Sequence, residues 1–62
     1  MNWINGSEHV RLLLRDNKVV GCVYRDTKYA VRHQIDAWRV NQDLETLYLT
    51  EKAAMRAAEG AA

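Results

Sequence analysis

The chain has 62 residues, with nine Lys and Arg against eight Asp and Glu, a single cysteine and no proline. A chain of this length forms one domain, buries only about 60% of the surface that its unfolded form exposes, and has little room for a deep ligand pocket. Cys22 has no partner for an intrachain disulfide, His9 and His33 have no cysteine at zinc-ligand spacing, and no apolar run approaches the ~20 residues that span a bilayer.

The expectation is therefore a cytoplasmic protein with neither metal nor cofactor. The opening "MNWINGSEHV" has no basic segment followed by an apolar one, so it reads as an extension over residues 1–7 rather than a secretory leader. Charge is unevenly placed. Seven of the nine cations lie between Arg11 and Arg39, with only Asp16, Asp26 and Asp36 among them. A basic middle between acidic ends allows an anionic partner.

"EHVRLLLR" (8–15) alternates as a strand, with Val10, Leu12 and Leu14 on one face and His9, Arg11 and Arg15 on the other. "RDN" (15–17) is turn chemistry, because Asp and Asn bond locally to the backbone and tolerate positive φ. "KVVGCVYR" (18–25) is rich in β-branched residues and apolar on both faces, as in a central strand. A three-residue loop with a left-handed Asn17 would pair Leu12 with Val20 and gather Val10, Leu12, Leu14, Val20, Cys22 and Tyr24 on the core face. A two-residue Asp16-Asn17 turn would slip the register by one and select Val19 and Val23 instead. The first is preferred because it collects the larger side chains.

"KYAVRHQI" (28–35) alternates again and predicts a third antiparallel strand. Residues 36–49 admit two readings: strand segments "AWRV" and "LETLYL" joined by "NQD" (41–43), or one helix capped by Asp36 with a stripe through Ala37, Val40, Leu44, Leu47, Tyr48 and Met55. The strand reading is favoured because bulky residues cluster on "TLYLT". Thr50 then caps a terminal helix, Glu51 sits at its positive end and Gly60 stops it. Ala53, Ala54, Ala57 and Ala58 share one side of that helix. Four methyl groups bury little area, so the helix must lie close to bulk supplied by Trp38, Tyr24, Tyr29 and Leu47. The predicted fold is α+β: one domain over 1–62, in which a three- to four-stranded antiparallel meander (8–49) packs against one C-terminal helix (50–60).

No catalytic constellation stands out. Cys22 lies between Gly21 and Val23 in a central strand and reads as an inert core thiol. His33 and His9 lack a carboxylate to orient them, and neither a phosphate loop nor a nucleophile elbow is present. What remains is surface. In the preferred register the helix covers the Leu12 and Val20 face, leaving the other face open with Arg11, Arg25, Lys28 and Arg32 around Val19, Gly21 and Val23. Arginine beside apolar surface is common at protein interfaces, and a strand glycine admits close approach of another backbone. These seven residues are the predicted partner-binding set, for a protein partner or a second copy of the chain. Trp3 is either a core plug or an exposed anchor.

The basic hairpin, third strand, Trp38, "LYLT" and alanine-rich helix together resemble small accessory proteins of bacteriophages and prophages, whose meander ends in a strand-Thr-Glu-x-x-Ala-helix pattern. The matching residues are Trp38, Leu47, Leu49, Thr50, Glu51, Ala54 and Glu59, within 37–60. The resemblance implies a non-enzymatic protein that binds a host or phage protein in the host cytoplasm. The three-strand-plus-helix layout is also similar to plant AP2-type and integrase amino-terminal DNA-binding domains. That similarity implies DNA contacts from Arg11, Arg25, Lys28, Arg32 and Arg39.

Overall fold

The computed structural model describes residues 1–61, in which five strands form one antiparallel meander in the order β1-β2-β3-β4-β5. The strands are β1 (Asn2–Ser7), β2 (Val10–Arg15), β3 (Lys18–Arg25), β4 (Trp38–Val40) and β5 (Asp43–Tyr48). Helix α1 (Thr27–His33) joins β3 to β4, and α2 (Glu51–Ala61) follows β5. The α+β class, the antiparallel meander and the C-terminal helix agree with the sequence reading, and the strand segments win over the long helix in 36–49.

Two segments differ from expectation. Residues 2–7 are not an extension but strand β1, whose Trp3 pairs with Leu13 and Ile4 with Leu12. Residues 28–35 are not a third strand, because local hydrogen bonding overrides the alternation. The Asp26 carboxylate accepts the Tyr29 N–H at 3.1 Å and caps α1. Tyr29 and His33, one turn apart, stack with centroids 4.2 Å apart. Gln34 then enters the left-handed region (φ 55°, ψ 42°) and donates its N–H back to Ala30 and Val31 carbonyls, which ends the helix.

The β2–β3 turn and the bulge beside it set which residues share a face of the sheet. Asp16 (φ 51°) and Asn17 (φ 63°) are both left-handed, the signature of a two-residue hairpin turn whose twist matches its strands. Arg15 pairs with Lys18 and Leu14 with Val19; a bulge then absorbs Val20, so that Leu13 pairs with Gly21 and Leu12 with Cys22. The preferred three-residue loop is thus corrected. The core face carries Leu13, Gly21 and Val23, while Val10, Leu12, Cys22 and Tyr24 point the other way.

Helix α2 lies on that core face. The Thr50 hydroxyl accepts the Ala53 N–H at 3.1 Å, as its capping role predicts. Ala54 and Ala58, both fully buried, rest on Val23, Trp38 and Val40, flanked by Trp3, Tyr48, Met55 and Ala57. Ala53 is exposed, so the buried stripe is narrower than the four alanines predicted, and Tyr24 belongs to the opposite side of the sheet. Gly60 does not stop the helix, which continues to Ala61.

Strand β4 is only three residues long, and side chains extend its pairing with β3. Asn41 donates its N–H to the Cys22 carbonyl at 3.0 Å and accepts the Cys22 N–H on its Oδ1 at 2.9 Å, and Gln42 Nε2 donates to the Val20 carbonyl at 3.0 Å. The resulting molecule is one helix layer on one sheet layer, 15 Å across its thinnest Cα dimension.

Candidate functional site

The structure scatters the predicted partner-binding residues. Val23 is fully buried, and Gly21 is buried against Leu13 and Gln42. The face predicted to be open around them is the one that α2 covers: the bulge at Val20 cancels the one-residue slip of the two-residue turn, so Leu13, Gly21 and Val23 share a face as expected, but α2 packs on that face rather than on the Leu12 face. Arg11 is occupied by the fold itself. Its Nε meets Glu51 Oε1 at 2.9 Å, its Nη1 donates to the carbonyls of Ser7, Glu8 and Val10, and its guanidinium lies 5.9 Å from the Trp38 ring centre. It ties the start of α2 to the sheet.

Val19, 58% exposed, sits beside the hairpin tip. Arg25 is exposed and pairs with Asp36 at 3.2 Å. Lys28 and Arg32 stand one turn apart on α1, where they line a shallow groove with Asp26, Tyr29 and His33. Arg39, on β4, is held by Asp26 at 3.2 Å and lies 5.6 Å from the Tyr29 ring centre. The basic stripe of the sequence is therefore divided: Arg11, Arg25 and Arg39 each have a carboxylate partner, and the other cations sit on the hairpin, α1 and α2.

The surface that sequence reasoning took for the core is the one left bare. Across the face opposite α2 run Ile4, Leu12 and Cys22 on three adjacent strands, with Val10 and Tyr24 in the next row. None of these side chains is buried, and Ile4 is 45% exposed, whereas Leu13, Val23, Trp38 and Val40 on the α2 face are at most 5% exposed. A Cβ on Gly6 would lie 3.1 Å from Val10 Cγ1 and 3.4 Å from Leu12, so Gly6 belongs to this face as its one position without a side chain. No charge stands among these six residues. At the margin, Arg39 is neutralised by Asp26. The signal for this surface was present in the alternation of β2; only the side to which it belonged was misassigned.

Cys22 sits in the middle of this surface, half-buried rather than in the core, and its partial desolvation pushes the thiol pKa upward. Asp26 moves the other way. The Tyr29 N–H that it accepts, aided by Arg39, holds its carboxyl below the usual aspartate range against partial desolvation.

Trp3 is neither a full plug nor a free anchor: it packs half-buried against the core and donates from Nε1 to Glu59 Oε2 at 3.1 Å. A second shallow groove runs between it and the Met55 side of α2. Among the described residues, no three His, Cys, Asp or Glu side chains are grouped to hold a metal, and no helix is long and apolar enough to cross a membrane. In comparisons with known proteins, the chain matches no family model, no curated protein and no solved structure.

Proposed function

We propose that the chain is a protein-binding module that works through the uncovered face of its sheet. The observation that carries this reading is the contrast between the two faces: one is sealed by α2, and the other presents Ile4, Val10, Leu12, Cys22 and Tyr24 unburied and without a charge among them. Contiguous exposed apolar surface on a small domain marks an interaction site. The accessory role implied by the resemblance to phage and prophage proteins is compatible with this reading.

The test compares two surfaces in affinity capture from a lysate of the source cell. Ile4→Lys places a charge on the open face at an already exposed position, and Lys28→Glu with Arg32→Glu alters α1. Capture lost with the first and kept with the second is the expected result. The reverse outcome would move the binding site to α1.

Nucleic-acid binding is the second reading, favoured by Lys28 and Arg32, which belong to none of the ion pairs among the described residues and stand beside exposed Val31 on α1. Phosphate contacts release counterions, so affinity for a DNA duplex would fall steeply with salt. Negligible gel shift at low salt removes this reading.

A further inference from the structure

We infer that the uncovered sheet face binds a second copy of the same chain in a two-fold pair, with β2 stacked over the partner's β2. This rests on the reading that the open face is the binding surface, and names its occupant.

Three properties of the face lead there. The first is charge. A face with no charged side chain in its field suits an equally neutral apolar partner, and this chain presents one. An acidic or basic partner would find nothing to pair with, since Arg39 at the margin already holds Asp26 at 3.2 Å.

The second is shape. A two-fold axis lying between the sheets and parallel to β2 leaves β2 over its own copy and exchanges β1 with β3. Because Ile4, Leu12 and Cys22 share one row, Ile4 then faces the partner subunit's Cys22, large against small. Tyr24, the bulkiest side chain on the face, falls over the partner's Ser7, which pairs with Val10, beside the partner's Gly6, which has no side chain. Leu12 meets its own copy near the axis. An isologous contact must be complementary to itself, and on this face the large and small residues alternate across β2 in the required order. Sheets packed face to face lie about 10 Å apart, a gap that side chains of these sizes fill.

The third is extent. Three strands of about six residues make a patch of about 15 × 20 Å, about 300 Å² per copy, below the roughly 800 Å² per partner of stable specific interfaces and in the range of weak, transient ones. The pair is therefore reversible, assembling at high protein concentration and dissociating on dilution. Cys22 lies one strand off the axis, so the two thiols of the pair are too far apart for a disulfide to be the linkage.

Sedimentation equilibrium of the purified chain tests this. Wild type should rise with concentration from the 7.2 kDa chain mass toward twice that value. Ile4→Lys alone and Cys22→Asp alone, each with an unchanged far-ultraviolet spectrum, should stay at chain mass. Mixed together they should again reach the doubled mass, because the introduced lysine of one variant faces the introduced aspartate of the other. A wild-type chain that stays monomeric at the highest soluble concentration overturns the pair. A wild-type dimer whose variants do not recombine overturns the stated axis. A monomer whose lysate capture still requires Ile4 overturns the second copy and leaves the protein-binding reading standing; one whose capture ignores Ile4 removes both.

Discussion

At the scale of single residues, Asp26 does more than its exposure suggests. It caps α1 through the Tyr29 N–H and holds Arg39 with its second oxygen, so two elements depend on one carboxylate. Asp26→Ala should lower the midpoint of chemical denaturation by removing the cap, and Asp26→Asn should lower it less because the amide oxygen can still cap. Because the folded carboxyl titrates below its unfolded value, its contribution is complete above the ordinary aspartate range and disappears as pH falls through the depressed value. The Tyr29 amide should therefore lose hydrogen-exchange protection only in acid, in step with the Asp26 carboxyl resonance. An Asp26 that titrates at its ordinary value would refute the assignment. Leu13 sets the other extreme: fully buried, its change to Ala should cost about 2–5 kcal/mol. Domains of this size rarely hold more than about 3–5 kcal/mol, so Leu13→Ala should be largely unfolded by circular dichroism.

At the scale of elements, α2 separates its alanines by role. Ala58 has no exposed surface and lies in the core cluster, so Ala58→Leu overpacks it and should cost about 1–3 kcal/mol. Ala53→Leu, on the solvent side of the same helix, should stay within about 0.5 kcal/mol of wild type. Gly60 provides a check on where the helix ends. Nothing lies within 4 Å of an added Cβ, and the residue is helical, so Gly60→Ala should raise the thermal midpoint, by up to about 1 kcal/mol in stability. A lowered midpoint would show that Gly60 serves as a left-handed stop after all.

These elements also show what was legible beforehand. Strands β2 and β3, the Thr50 cap and the β4–β5 segments follow from β-branched content, alternation and capping chemistry, and all three stand in the structure. Helix α1 was hidden because a seven-residue helix offers barely two turns of periodicity, too little to outweigh a run that also alternates. Strand β1 was hidden because "NWINGS" has only two large apolar residues, and its place is fixed by pairing with β2 rather than by its own propensity.

At the scale of the whole molecule, sidedness was the property least accessible from sequence. β3 is apolar on both faces, so nothing local decides which set faces α2; the Asp16-Asn17 turn and the bulge at Val20 fix only which residues share a face, and α2 takes the side of Val23, Trp38 and Val40, against which Ala54 and Ala58 pack. The predicted site inherited that choice. Val23 and Gly21 moved into the core, Arg11 became a tie between sheet and helix, and the residues expected inside became the bare face. The side that α2 takes thus determines both how the molecule is sealed and where it can be met by another.

The two indoles give the molecule a spectroscopic readout of its own. Trp38 is 5% exposed and its Nε1 is buried with no hydrogen-bond partner among the described residues, whereas Trp3 is half-buried and bonded to a carboxylate near the end of α2. Trp38 should emit toward the blue and resist acrylamide, reporting the integrity of the core. Trp3 should emit further to the red and be quenched more readily, reporting whether the last turns of α2 are docked. Fraying of the helix end and global unfolding thus become separable signals in one unlabelled chain.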